Sequence, residues 1–384
     1  MALIIRRVAI GSRSLFCIVA RHMTSTTTAS PSAPTPAAPQ LLSADTLRRF
    51  VTALLVARGM LQDDAAVVAD TLVWADLRGV SSHGVGWLAR FFELIEEGPI
   101  ALQARPQLRA QNDTQSKLRF VLDARQAAGA VAMMQAAQLA VEAADQHGVC
   151  VGAVRDATHT GAIGRYAEWA AERGCAAIIL LAGPPLMAYH GTRTLSASTT
   201  PIAIAVPGPN GPLLLDMATS VVPYSRLRQA RLLGQALPEG AALDAQGMMT
   251  TDPQQAQVPL PIGGAKGAGL ALMVELLTSV LLDNDILSQY LDPQGDHHLR
   301  QNALFITLKV DAYRALPSYT AAVGLLEQIL KQQAPAAGAD AIRLPGERGA
   351  QLRSQRLQHG IPLPAAVWKQ LSTLAAQVGV ALPD

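Results

Sequence analysis

The feature that most constrains this chain is an alternation of short apolar runs with helix-period segments that begins at Arg119. Residues 120–122 read as a strand, 127–146 as a long helix closed by Gly148, and 149–154 as a buried strand. Residues 162–172 read as a helix closed by Gly174, and 176–181 as another strand. Strands alternating with helices of this length build layered α/β units. Residues 202–206 and 213–217 flank Pro207-Gly-Pro-Asn-Gly-Pro212, which predicts a β-hairpin. Further helices are expected at 221–233 and 267–282, and a strand at 304–310. The α/β core therefore spans 119–310.

The flanks are helical in pattern. In 41–118, Ser43 precedes a periodic segment ending at Gly59, with Leu47, Phe50, Leu54 and Leu55 on one face. A second helix is expected at 63–77 and a third at 85–97, stopped by Gly98-Pro99, with a Gly/Ser break between them at 78–83. The tail, 311–384, predicts helices at 319–331, 347–358 and 364–378 that pack beside the N-terminal ones. Residues 1–40 stand outside the fold argument. They lack Asp and Glu, carry Arg6, Arg7, Arg13 and Arg21, and run into a Ser/Thr/Pro/Ala-rich stretch at 24–39. That is the composition of a mitochondrial presequence and linker; the competing reading starts translation at Met23. The expected location is the cytoplasm, or the mitochondrial matrix if residues 1–22 are a genuine presequence.

Composition excludes several function classes. Half of the 384 residues are hydrophobic and 16% are charged, enough apolar material for a sizeable core. A net charge of +2 without a basic stripe argues against nucleic acid. The most apolar stretch, 270–282, carries Glu275 and is too short to cross a bilayer. Cys17, Cys150 and Cys175 have no metal spacing and fit free thiols in a reducing compartment. No metal site is expected, and His297 and His298 beside Asp296 read as solvated.

Three segments can carry chemistry. In Asp76-Leu-Arg-Gly-Val-Ser-Ser-His-Gly84, a loop holds His83 among small residues, and imidazole suits proton movement near neutral pH. In Asp156-Ala-Thr-His-Thr-Gly-Ala-Ile-Gly-Arg165, His159 lies at the carboxyl end of a strand, where ligands collect in open α/β sheets. In Leu260-Pro-Ile-Gly-Gly-Ala-Lys-Gly-Ala-Gly-Leu270, glycines surround Lys266 at a helix start. Free amides, the helix dipole and the ammonium there favour an anion. None of these matches a P-loop or a GxGxxG fingerprint. Each has a plainer reading: a capping or surface histidine, an αβ turn, a structural Gly-rich turn. Leu215-Asp-Met-Ala-Thr-Ser220 adds Asp216 as a site candidate, with Thr219 or Ser220 as a helix cap.

In their order along the chain, these segments resemble the type-2 malate/L-lactate dehydrogenase family. The residues that carry the resemblance are Asp76-Leu-Arg-Gly with Ser82-His83-Gly84, His159-Thr-Gly, Leu214-Leu-Asp-Met-Ala-Thr-Ser220, Thr250-Thr-Asp-Pro253, Leu260-Pro-Ile-Gly-Gly264, Lys266-Gly-Ala-Gly and Leu344-Pro-Gly-Glu347. The resemblance spans about 41–380. It implies a three-layer α/β/α core with a mixed sheet, distinct from the Rossmann fold, and a helical domain built from both chain ends. It also implies a homodimer, NAD or NADP as cofactor, and a small carboxylate substrate of the 2-hydroxy/2-oxo type. On the same basis His159 and His83 are the catalytic pair. Ser82, Trp87, Arg90 and Thr200 are substrate-side. Asp216, Thr219, Arg226, Gly263, Gly264, Lys266 and Gly267 are cofactor-side.

The chain departs from the family where its members usually carry arginine, here Trp87, with Arg90 a helical turn away. It departs again at Ser198-Thr-Thr-Pro201 and at Ser225-Arg226. These positions bear on the substrate more than on the reaction. They keep open a cyclic-imine reductase and, in another class, a cofactor-binding protein with impaired catalysis.

Overall fold

A computed structural model describes residues 39–109, 118–291, 299–338 and 341–383. It opens with strand β1 (Gln40–Leu42) and helices α1 (Ala44–Ala57) and α2 (Gln62–Leu77). The Ser43 hydroxyl caps α1 by accepting the Thr46 N–H at 3.1 Å, satisfying one of the donors a helix start leaves open. Leu47, Phe50, Val51, Leu54 and Leu55 form the buried stripe of α1 at helical spacing. Beyond α2 two single 3-10 turns, Ser81–His83 and Val85–Trp87, precede α3 (Leu88–Glu96). The helix expected from residue 85 thus settles into α form only at Leu88. The cause is a cross-link, in which the Asp76 carboxylate accepts the Val85 N–H at 2.8 Å. A Cβ at Gly84 would lie 2.0 Å from that carboxylate, so only glycine lets the chain pass this close.

The sheet region runs β2 (Gln107–Leu108), β3 (Arg119–Asp123), α4 (Gly129–His147), β4 (Val149–Ala157), α5 (Gly164–Ala171) and β5 (Cys175–Ala182). It continues through β6 (Pro185–Met187), β7 (Ala197–Ser198) and the hairpin β8 (Ile202–Val206) and β9 (Leu213–Met217). Next come α6 (Tyr224–Leu233), the short strands β10 (Ala242–Leu243), β11 (Met249–Thr250) and β12 (Val258–Pro259), then α7 (Ala265–Glu275). A π-helical turn, Leu276–Val280, ends α7, and α8 (Ile286–Leu291) and β13 (Gln301–Lys309) follow. The chain finishes with α9 (Leu316–Lys331), α10 (Glu347–His359), β14 (Ile361–Leu363) and α11 (Ala365–Val378).

Seven strands make the main sheet, in the order β2-β3-β4-β13-β5-β8-β9. The β3–β4 pair is parallel and the other neighbours are antiparallel, so this is a mixed-sheet α/β fold. β13 arrives late in the chain yet sits in the middle, with Phe305 opposite both Gly152 and Ile179. α4 and α5 bury Ala132, Met133, Ala136, Ala140, Tyr166 and Ala167 against this sheet in one apolar cluster.

A second cluster joins α1, α2 and α3 to the end of the chain, through Leu47, Leu54, Leu72, Phe91, Ile361 and Leu371. Fully burying side chains such as Leu47 and Leu54, each 0% exposed, stabilises by roughly 2 kcal/mol apiece. β1 pairs antiparallel with β14, Gln40 opposite Leu363 and Leu42 opposite Ile361, stitching the first described strand to the last. The described residues all belong to one compact unit. Cys150 and Cys175 are buried free thiols.

Candidate active site

The imidazoles of His83 and His159 come together from separate elements. Their ring centroids lie 5.7 Å apart and their planes differ by 15°. The indole of Trp87 lies flat on His159, centroids 3.7 Å apart and planes within 11°, while Phe91 meets the indole edge-on at 6.1 Å. Each imidazole keeps part of its residue surface open to solvent. Desolvation by the surrounding groups nonetheless pulls the His83 pKa down to about 4. Burial, reinforced by the charge His83 would carry, pulls His159 down to about 3. Both rings are neutral near pH 7. Ser82 Oγ sits 3.0 Å from His83 Nδ1. The Gly161 N–H points at His159 Nδ1 from 3.3 Å, which puts the neutral ring's hydrogen on Nε2.

Neighbouring backbone fixes the His159 loop. The start of α4 presses on it, and a Cβ at Gly129 would lie 2.3 Å from the Thr158 carbonyl oxygen. The Thr158 hydroxyl accepts the Gly129 N–H at 3.1 Å and donates to the Ala127 carbonyl at 2.9 Å. Gln301, at the start of β13, accepts the Thr160 N–H at 2.8 Å. The α2 end that leads to His83 is anchored to α5 by an ion pair between Arg78 and Glu168, 2.7 Å apart with side chains 5% and 4% exposed. The other Glu168 oxygen accepts from the Trp74 indole N–H.

A second group of predicted residues gathers around the Gly-rich turn. Gly263 and Gly264 both take φ +60°, a region L side chains avoid. A Cβ at Gly267 would lie 2.2 Å from the Ile262 carbonyl oxygen. No side chain caps α7 at Gly264, and the Lys266 ammonium has no partner among the described residues. A positive helix end that no side chain caps and an unpaired cation suit a phosphate or pyrophosphate. The turn is tied to the 216–220 segment, since the Ile262 N–H donates to the Thr219 carbonyl at 2.8 Å and the Val221 N–H to the Leu260 carbonyl at 2.9 Å. Asp216 completes the link to the histidine loop by accepting the Gly164 N–H at 3.0 Å. Its residue surface is exposed, yet desolvation by the groups around the carboxyl lifts the pKa to about 6, against the Gly164 N–H and the pull of Arg78.

Several expected roles change. Arg90 is not free to clamp a carboxylate: both of its terminal nitrogens bind Glu97, at 2.9 and 3.2 Å, and one also binds Glu93 at 2.9 Å. Thr200, expected on the substrate side, is fully buried and takes φ +25°. Its hydroxyl bonds the equally buried Thr219 hydroxyl at 2.7 Å, and Thr219 Oγ1 also donates to the Thr199 carbonyl at 2.9 Å. Those two hydroxyls hold the strand ends together. Arg226, exposed on α6, reaches Gln235 at 3.5 Å. His297 and His298 lie outside the described residues. Two site neighbours escaped the sequence reading, Gln301 and His190. A Cβ at Gly264 would come within 3.6 Å of the His190 ring. The signal for His190 was a histidine opening the Gly/Thr run 190–194 just before a strand. Gln301 carried no signal, being a polar residue at a strand end.

Among the described residues no cluster of three or more His, Cys, Asp or Glu could hold a metal ion, and no helix is long and apolar enough to cross a membrane.

The comparisons agree with one another. Residues 42–372 match the family model described as malate/L-lactate dehydrogenase. Malate dehydrogenase of Pyrococcus abyssi is 33% identical over 88% of this chain and 94% of its own length. Ureidoglycolate dehydrogenase (NAD(+)) of Escherichia coli O157:H7 is 29% identical over 86% of this chain and 94% of its own. Among solved structures, malate dehydrogenase from Entamoeba histolytica superposes with a TM-score of 0.83 at 25% identity, covering 90% of this chain and all of that one. The delta1-piperideine-2-carboxylate reductase from Pseudomonas syringae pvar. tomato gives 0.76 at 26% identity, covering 88% of this chain and 100% of that chain. This chain belongs to the malate/L-lactate dehydrogenase family.

Proposed function

We propose that the chain is a nicotinamide-dependent oxidoreductase that moves hydride between NAD or NADP and C2 of a small 2-hydroxy/2-oxo carboxylic acid. One observation carries the reading: two imidazoles from separate elements meet at 5.7 Å, beside a loop bonded through Asp216 and Thr219 to the glycine-lined start of α7. The α7 start, which no side chain caps, and the unpaired Lys266 fit the pyrophosphate, with Gly263 and Gly267 letting it approach the backbone. When bound, the nicotinamide supplies or accepts the hydride.

The chain's own groups handle the proton and the orientation. In the oxidative direction the C2–H electron pair leaves as hydride, the hydroxyl proton passes to His159, and the C=O bond forms. In reduction the same imidazole returns the proton as negative charge develops on oxygen, an effect typically of ~10²–10⁴-fold in rate. His83, buttressed by Ser82, faces the substrate, and the Trp87 indole walls the site. Asp216 and Thr219 shape the cofactor side from behind, and Arg226 lies on the same side.

The finer architecture belongs to the same reading: a three-layer α/β/α core at 119–310, distinct from a Rossmann sheet, with 41–118 and 311–384 forming one helical part. A homodimer is proposed on the apolar surface that α7 and its π turn leave open. Leu272, Met273, Leu276, Leu277, Val280 and Leu281 there are 42–62% exposed, and so extended a patch marks a protein contact. Sedimentation at twice the chain mass is the expected result, and Met273→Glu should return the monomer. The buried free thiols support a reducing compartment such as the cytoplasm.

The deciding experiment incubates the protein with NADH or NADPH and separate panels of 2-oxo acids and cyclic imines, following cofactor absorbance. Turnover with oxo acids is the expected outcome. Turnover with cyclic imines alone would favour the reductase reading, which the structural likeness to the piperideine-2-carboxylate reductase keeps in view. Cofactor binding with no turnover in either panel would leave only a cofactor-binding protein.

A further inference from the structure

The Trp87 indole is the aromatic group in full face contact with the His159 ring, at 3.7 Å and 11°. Stacking favours a neutral imidazole modestly, and a cation over the negative π face gains a further electrostatic attraction. The surroundings give it weight. Among the described residues no carboxylate bonds the His159 ring: its loop meets Gly129 from α4, Gln301 from β13, the His83 ring from the 3-10 turn and, at Gly164, the Asp216 carboxylate. Asp76, at the end of α2, is bonded to the Val85 N–H. Asp156, earlier in the same loop, pairs with Arg300 at 3.2 Å. A further opposing element is the Gly161 N–H, which would face a second hydrogen on Nδ1 once the ring is charged.

We infer that Trp87 is the positioning residue that stabilises the imidazolium form of His159, its π face standing where many histidine sites place a carboxylate. The inference rests on the reading of His159 as proton carrier. Proton transfer with the substrate oxygen requires the ring to pass through its charged form, and burial alone opposes that form. Phe91, edge-on to the indole at 6.1 Å, holds it in place.

The test replaces Trp87 with 5-fluoro-, 5,7-difluoro- and 5,6,7-trifluorotryptophan. Fluorine withdraws electron density from the face while scarcely changing the ring's shape. The first readout needs no turnover: the imidazole 15N shift of His159, assigned with His159→Gln, gives the imidazolium fraction at pH 4. That fraction should fall stepwise along the series, by roughly two- to fivefold at trifluoro, the span of a cation–π interaction of ~0.5–1 kcal/mol. Trp87→Phe, which keeps a weaker π face, should lie between native and trifluoro. The second readout is a matching fall in kcat with KM within about twofold. An imidazolium fraction that stays level across the fluorinated series overturns the inference, whatever the turnover. A stepwise fall with no hydride transfer to any substrate upholds the stack and sinks the enzymatic reading instead.

Discussion

Gly129→Ala isolates the packing that holds the His159 loop. Gly129 opens α4 without a positive φ, so alanine suits its backbone, and in a helix interior it is favoured over glycine by about 1 kcal/mol. The obstacle is steric. The new methyl would stand 2.3 Å from the Thr158 carbonyl oxygen and 2.6 Å from the carbonyl carbon and oxygen of His159, where ordinary C···O approaches are about 3.3–3.6 Å. The loop or the helix start must therefore retreat by roughly 1 Å. The Thr158 hydroxyl, bonded to both Gly129 and Ala127, resists a clean separation, so the strain falls on the histidine. Overpacking of this kind costs ~1–3 kcal/mol, partly offset by the helix preference, leaving a modest net loss of stability. Misplacing a reacting group by about 1 Å lowers turnover ~10²-fold. Urea denaturation and steady-state kinetics on the same preparation should thus show activity falling far more than stability. A variant that keeps more than half of its kcat would mean the loop is not held by this contact, and the positional argument would be wrong.

Three other perturbations follow from the same geometry. His159→Gln should lower kcat by at least ~10²-fold while NADH affinity, followed by fluorescence titration, stays within about twofold; undiminished turnover removes His159 from the chemistry. Glu168→Ala leaves the 5%-exposed Arg78 side chain without its anion and should destabilise by ~3–5 kcal/mol in chemical denaturation; a loss under 1 kcal/mol would show that water reaches that pair. Glu275, 4% exposed, has its pKa raised to about 7 by burial, against the help of Ser279. A carboxyl raised in the folded state contributes stability that is complete below its ordinary 4.5 and lost as pH rises through 7. Glu275→Gln should therefore gain on the parent between pH 5 and pH 8 by up to about 3 kcal/mol, and a constant difference across that range would refute the assignment.

Much of the architecture could be read from the residues because it rests on local periodicity. α1, α2, α4 and the β8–β9 hairpin lie within a few residues of where apolar spacing, Ser43, Gly148 and the Pro207–Pro212 turn put them. What could not be read was set by partners distant in sequence. Residues 304–310 looked like one more strand, and nothing local said that β13 would divide β4 from β5. The strands of two or three residues, such as β7 and β12, are too short to carry a period. In the site, the sequence supported His83 and His159 as separate loop histidines. Their meeting was implied by the family resemblance, since tertiary distance leaves no trace in spacing. Arg90 misled because a helical turn can be counted, whereas the competing Glu93 and Glu97 on its own helix decide where it points. Thr200 and Thr219 were read as hydroxyls for ligands and instead bond each other, a choice that burial makes and composition cannot reveal.

The β1–β14 pairing has a consequence for synthesis. The arm that delivers His83 and Trp87 packs against α11 and is closed by a strand that follows the whole main sheet along the chain. A nascent chain halted just after β13 already owns every strand of the main sheet, the His159 loop and the glycine turn, but its first helices have no lid. Domains of this size fold in stages, and contacts between chain ends carry the largest loop-closure entropy. The sheet can thus mature while translation continues, and the arm that carries His83 closes only once β14 and α11 have emerged.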